Sequence, residues 1–468
     1  MTITLELAKL ITAQRFEGLP PQAVHWAKVG LMDTVGATLA GCREDTARLA
    51  ERALGSASGP SLILGTSRRV SALDAAVVNG AASHALDFDD CNNTIGGHPS
   101  APVLSALFAL TDEIGASGKD FINAYVTGFE TECKIALGVN YHHYTKGWHP
   151  TATLGVFGAA AASARLLGLS EFQTATALAI AASFSSGIKA NFGTMMKPFH
   201  VGHAARNGLY AALLAREDYT ANTANAFEHK QGFFNVFNGE GNYDAAKIVP
   251  GWASPWDIVE PGIAIKQYPC CGSTHPAVDA MLQLVREEDV KPAQVARVDS
   301  WTHPRRLEHT NRPDPQGSLD AKFSVQYCLA RAINDRKVII EHFEGDTYKD
   351  AAVQALLPRI HAAAYTTAQF PAENHFGAEV KVTLTNGTVH TRKVDQPFGR
   401  TSRNPLPPEL LKEKFVNCSL RSLPEATVHR IYDSIQRIES LGDTRELIAL
   451  TATQEIKERT RPGVAARA

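Results

Sequence analysis

The chain has 468 residues, 44% of them hydrophobic and 20% charged, and its formal net charge is −2. These totals describe a globular chain with room for more than one core, and they exclude a nucleic-acid partner held by bulk electrostatics. An anion can be held only by a few local cations.

The first residues, MTITLELAKLITAQ, are interrupted by Glu6 and Lys9 and lack the apolar core of a signal peptide. Pro150–Ala164, the most membrane-like stretch, is too short to span a bilayer. Seven scattered cysteines, of which only Cys270 and Cys271 adjoin, suit a reducing compartment and match no common zinc spacing. The expectation is a cytoplasmic protein without a membrane partner.

Up to about residue 250 the chain reads as successive helices. Val24, Leu31, Val35 and Leu39 recur near helical spacing ahead of Gly41. Val103–Ala116 and Phe121–Gly138 read the same way, and Ser170 with Gln173 forms a capping-box pattern opening a helix through Phe184. Pro250, Pro255 and Pro261 then break the pattern, and strands follow. Val295–Trp301 is β-like; Glu379–Thr385 alternates strictly before the hairpin dipeptide Asn386-Gly387. Helices are expected at Pro276–Glu287, Lys322–Asn334, Leu410–Phe415 and Glu425–Ile438. The fold class expected is mainly α with an α+β part: a large helical domain from residues 1–261 and 405–468, and a smaller α+β lid domain from 262–404.

Five segments concentrate chemistry: HALDFDDCNNTIGGHPS (84–100), YTKGWHPTATLG (144–155), NFGTMMKPFHVGHAARNG (191–208), IKQYPCCGSTHP (265–276), and the stretch around Tyr327. Asp87, Asp89 and Asp90 can ligate a metal with His98, perform acid–base work, or cap a helix. No second acidic cluster of comparable density accompanies them, which weighs against a metal. His98, His149 and His275 each precede a proline that suits the first turn of a helix, where backbone N–H groups favour anions. A lone histidine there is commonly structural; three in matched contexts point to a site. Lys197, His200, Arg206 and Lys266 add cations able to hold a carboxylate-rich ligand without a metal. No GxSxG elbow, P-loop or GxGxxG is present.

Together, LDFDD…HPS, GWHPT, TMMKP-H…AARNG, IKQYPCCGSTHP and AKFSVQY resemble the MmgE/PrpD family, in order, over about residues 20–440. That family includes 2-methylcitrate dehydratases, cis-aconitate decarboxylases and iminodisuccinate epimerases. The resemblance implies a helical domain, a smaller lid, a homodimer, and a cofactor-free site in the cleft between the domains. It implies important roles for Asp87, His98, His149, Lys197, Lys266 and Tyr327. His275, Arg206, Cys91, Asn93, Met195 and His200 are the further residues expected around the substrate. GWHPTATLGVFG and NFGTMMKP are most similar to the epimerase branch, so the resemblance specifies a family and leaves the reaction open.

The expected activity is a lyase acting beside a carboxylate of a small di- or tricarboxylic acid. An epimerase, or a non-catalytic polycarboxylate binder, is the alternative. In the expected mechanism Lys197 and Lys266, with His275 and Arg206, bind carboxylates, while His98 and His149 exchange protons. Asp87 orients an imidazole, and Tyr327 adds a donor from the lid.

Overall fold

A computed structural model describes residues 2–453. The chain is mainly α-helical with an α+β part. Long helices Pro21–Gly41, Ser100–Ile114, Gly118–Val139 and Met196–Arg216 dominate the first half. Their largest apolar cluster also takes in Leu406, Phe415, Ile431, Ile438 and Ile448 from the C-terminal segment. A second cluster is drawn from Tyr268 to Leu384.

The expected capping box forms, with the Ser170 side chain on the Gln173 N–H and the Gln173 side chain returning to Ser170. Pro150–Ala164 is not one helix. It divides into Pro150–Thr153 and Gly155–Leu166, which leaves His149 on extended backbone just before the first turn. The helix expected at 322–334 also divides, into Ser318–Lys322 and Val325–Asp335, because the Ser324 side chain caps the second by accepting from the Tyr327 N–H.

Two short strands, β1 (Ser61–Leu62) and β2 (Arg69–Val70), pair within the helical part. The main sheet holds β3 (Val295–Thr302), β4 (Ile360–Ala364), β5 (Ala378–Leu384) and β6 (Val389–Val394) in the order β4-β3-β5-β6. Only β3 and β4 run parallel. Strand β5 buries Ala378, Val380, Val382 and Leu384 on one face, as its alternation requires, and Gly387 turns it into β6 at φ +86°. Helices His275–Glu287 and Val325–Asp335 cover the sheet.

Glycine sets one contact that matters for the site. Helix Ala72–Ser83, which leads into His84, meets helix Met196–Arg216, which begins beside Lys197, at Gly80 and Gly202. A Cβ on Gly202 would stand 2.0 Å from the Val77 carbonyl oxygen, so only glycine permits this approach. No helix among the described residues is long and apolar enough to cross a membrane.

Candidate active site

The site is assembled where helix Ala72–Ser83 ends. His84 closes that helix, and the chain then turns through Asp87 at φ +53°, a left-handed conformation uncommon for a side chain of this kind. Reciprocal backbone hydrogen bonds of 2.7 Å join Cys91 to Ala264 and carry Lys266 over the turn. The Ile265 N–H donates to the Gly399 carbonyl at 2.7 Å, which brings Arg400 to the same place. A recess lined by Cys91, Lys266, Gly272, His275 and Arg400 opens there.

Asp87 is the hub of the cations. One of its carboxylate oxygens lies 2.7 Å from the Lys197 ammonium, 3.1 Å from the Lys266 ammonium and 3.5 Å from His98 Nε2. Lys266 also donates to the Asp87 carbonyl at 2.6 Å. Lys322, from the AKFSVQY motif, donates to the Leu86 carbonyl at 2.9 Å. Burial alone would raise the Asp87 pKa, but Lys197 and Lys266 outweigh it and hold the carboxyl well below its usual range. Burial opposes the charge on Lys266, and Asp87 overcomes that and raises its pKa.

The imidazoles divide into two protonation states. Asp89, fully buried, accepts from His84 Nδ1 at 2.8 Å and lies 3.2 Å from His98 Nδ1. Against the cost of burial, Asp89 and then Cys91 raise the His98 pKa to about 10, so His98 is an imidazolium at neutral pH. Burial pulls His84 down to about 4 and His149 well below its ordinary value. Those two rings are neutral. The rings sit in sequence, with His84 4.4 Å from His98 and 5.9 Å from His149, centroid to centroid. His149 Nδ1 faces His200 Nδ1 at 3.2 Å, and Phe192 stands edge-on to His149 at 4.8 Å.

Asp90 turns away from this group. It accepts from the Ser100 N–H at 3.3 Å and from the Ser100 hydroxyl, which also meets Tyr125. Burial, reinforced by Asp33, raises its pKa well above the carboxylate range, so it braces the start of helix Ser100–Ile114 as a neutral acid.

Asp87, His98, Lys197 and Lys266 thus converge directly, and His149 joins them through His84. Cys91 lies 3.7 Å from His98; burial raises its pKa, but His98 and Lys266 outweigh that and bring it to about 7. Asn93 reaches the recess through its Oδ1, which accepts from Arg400 at 2.6 Å. His275 lines the recess, and its Nε2 stands 3.3 Å from the Cys270 carbonyl.

Three expected residues are placed elsewhere. The Tyr327 hydroxyl donates to the His342 carbonyl and accepts from Arg331 at 2.9 Å, inside the second apolar cluster. Lys322, five residues earlier, is the side chain by which this motif reaches the Asp87 turn. Arg206 lies farther along its helix than Lys197, and among the described residues no contact joins it to Asp87. Met195 is 53% exposed at the start of that helix. The expected partnership of Asp87 with an imidazole is made more closely by Asp89, whose oxygens lie nearer to His98. His84, Lys322 and Arg400 are the members that the sequence reading did not single out, and Asp89 figured there only within the acidic triplet.

His84, Asp87, Asp89 and His98 each offer a ligand atom within 4.8 Å of the others, a spacing that could hold a metal ion. One Asp87 oxygen already faces two ammonium groups, so a dication placed beside this carboxylate would be repelled at short range. The donor set fits a metal poorly.

Residues 5–246 match the MmgE/PrpD N-terminal domain, and residues 268–440 match the MmgE/PrpD C-terminal domain. The chain is 29% identical over 462 residues to the cis-aconitate decarboxylase of Homo sapiens, covering 96% of this chain and 94% of that one. It is 28% identical over 396 residues to the enzyme of that name from Mus musculus, covering 82% and 79%. It is 26% identical over 474 residues to the one from Aspergillus terreus, covering 96% and 95%. With both domains matched over most of its length, the chain belongs to the MmgE/PrpD family.

Proposed function

We propose that the chain is a lyase of small polycarboxylic acids, working without a metal or organic cofactor, and that its reaction is decarboxylation of an unsaturated tricarboxylate of the cis-aconitate type. The observation that carries this reading is the split between His98 and His149. One imidazole holds its proton to about pH 10 beside the Asp87 carboxylate that Lys197 and Lys266 share, while the other, reached through His84, has its pKa lowered well below the ordinary value and is neutral.

Lyase chemistry next to a carboxylate places an electron pair on carbon. In decarboxylation the bond to the departing carboxylate breaks, its electron pair stays on the substrate, CO2 leaves, and one proton must be delivered to carbon. Delocalisation of that pair into a neighbouring carboxylate is favoured by fixed positive charge, which Lys197 and Lys266 supply. His98, kept protonated by Asp89, is the proton donor. His149, neutral and adjoining His200, hydrogen-bonds the substrate or accepts a proton.

Environments that push two like groups in opposite directions are how one site obtains both an acid and a base. The names of the relatives support decarboxylation ahead of its alternatives. Dehydration is the second reading, favoured by the same pairing, because loss of water needs a base for the carbon-bound hydrogen and an acid for the leaving hydroxyl.

The test is proton NMR of the purified protein with cis-aconitate and with 2-methylcitrate. Release of CO2 from the first is the expected result; water loss from the second, with cis-aconitate untouched, would replace decarboxylation by dehydration. Turnover of neither would remove both.

A further inference from the structure

Among the described residues, Arg400, which lines the recess, and Arg306, which reaches Ser273 next to it, have no acidic partner. Arg306 lies on helix Pro304–Thr310, directly after β3, and Arg400 follows Gly399. Both stack on one ring: their guanidinium carbons are 4.7 and 4.6 Å from the centroid of Phe376. Arg306 donates to the His375 carbonyl and, at 3.2 Å, to the Ser273 hydroxyl, which His309 also meets at 3.0 Å. Arg400 donates to Asn93 Oδ1 at 2.6 Å, while its buried Nε has no partner. Among the described residues neither guanidinium is ion-paired with a carboxylate.

Like charges held this close are costly unless something offsets them. Burial, and after it the charge on Arg400, pushes the Arg306 pKa down to about 10, and burial lowers Arg400 as well. The balance differs sharply from that around Lys197 and Lys266, which share Asp87. Elsewhere in the chain arginines do find carboxylates, as Arg297 does on Asp299 and Arg331 on Asp335. Arg400 lines the same recess as Lys266 and His275. The planar fork of a guanidinium matches a carboxylate with two parallel hydrogen bonds, and a free Nε is one arm of such a fork.

We propose that Arg306 and Arg400, stacked on Phe376, form a second carboxylate subsite at the recess, separate from the lysines, and that it selects tricarboxylates over dicarboxylates. This rests on the reading of the recess as a polycarboxylate site and adds its selectivity. One carboxylate of the substrate is held beside Lys197 and Lys266, where charge develops. Another is anchored by the arginines, away from the reacting carbon, so the pair contributes binding and orientation and no proton transfer.

The experiment is calorimetric titration of the full chain with two unreactive probes: tricarballylate, with three carboxylates, and glutarate, which lacks the middle one. The wild type is expected to bind tricarballylate at least about tenfold more tightly, the increment of one added charge-assisted pairing. In Arg400→Gln and in Arg306→Gln that ratio should fall towards one. Arg306→Gln, on a residue of intermediate burial, answers the question if the Arg400 variant does not fold. A ratio unchanged in a folded variant overturns the subsite while leaving the polycarboxylate reading standing. A wild type that binds neither acid overturns the reading and the subsite together.

Discussion

Lys266 holds Asp87 twice, through the backbone carbonyl at 2.6 Å and through the carboxylate at 3.1 Å. The second contact balances charge, and the first secures a turn whose φ of +53° is unfavourable for a residue with a side chain. Replacing Lys266 therefore removes one of the two ammonium groups on Asp87 and loosens the turn that positions it. Lys266→Met should lower turnover at least about 100-fold and destabilise the fold by about 3 kcal/mol, as loss of one partner of a buried ion pair does. Steady-state kinetics with urea unfolding checks both, and loss of stability with full activity would separate Lys266 from the chemistry.

The two imidazoles predict a pH profile. His98, raised to about 10, keeps its proton through neutrality and loses it as pH rises through that value. His149, lowered well below 6.5, becomes protonated only in acid. A plot of kcat/KM should thus show an acid limb below 6.5 from His149 and a loss belonging to His98 near 10, with the Cys91 thiol, brought to about 7, titrating between them. Asp89→Asn takes away the carboxylate that raises His98, and the alkaline limb should move towards neutral pH. The sign for stability is the same: a raised folded pKa gives stabilisation fully present below the unfolded value and lost as pH rises through the folded one. An alkaline limb indifferent to Asp89→Asn would take His98 out of the acid role.

Gly202 tests whether helix contact sets the site. Gly202→Ala puts a Cβ 2.0 Å from the Val77 carbonyl oxygen and 2.9 Å from the Ala81 nitrogen, both backbone atoms that cannot swing away. Overpacking of that kind costs roughly 1–3 kcal/mol or more. It should lower the unfolding temperature and, by displacing the helix that carries Lys197, raise KM. An alanine variant with unchanged melting and kinetics would show that the helices can separate freely.

Chelation probes the His84, Asp87, Asp89 and His98 group. Because Lys197 and Lys266 already neutralise the Asp87 oxygen, prolonged EDTA treatment followed by gel filtration should leave activity intact. Loss of activity restored by one divalent metal would give that group a metal-binding role instead.

The sequence made some of this legible and hid the rest for identifiable reasons. The Ser170 capping box and the Asn386-Gly387 turn were readable because each depends on residues within a few positions of one another. The Asp87, His98, Lys197 and Lys266 convergence followed from motifs in a familiar order, and only the fold gave its distances. Arg400 carried no local signal; it arrives through the Ile265–Gly399 backbone bond, which spans more than a hundred residues. The expectation at Tyr327 took no account of Ser324, which interrupts the helix and leaves the Tyr327 ring in the apolar cluster while Lys322 reaches the Asp87 turn. Asp89 was hidden by being one of three neighbouring aspartates, whose separate partners are set by a turn that no periodicity describes.

The most direct measurement follows deuterium. Incubation with cis-aconitate in D2O, read by NMR and mass spectrometry, should show CO2 release with one solvent deuterium bound to carbon in each product molecule, and His98→Gln should abolish this in a folded protein. Deuterium exchange into recovered substrate without loss of CO2, or undiminished turnover by His98→Gln, would contradict an imidazolium-driven decarboxylation.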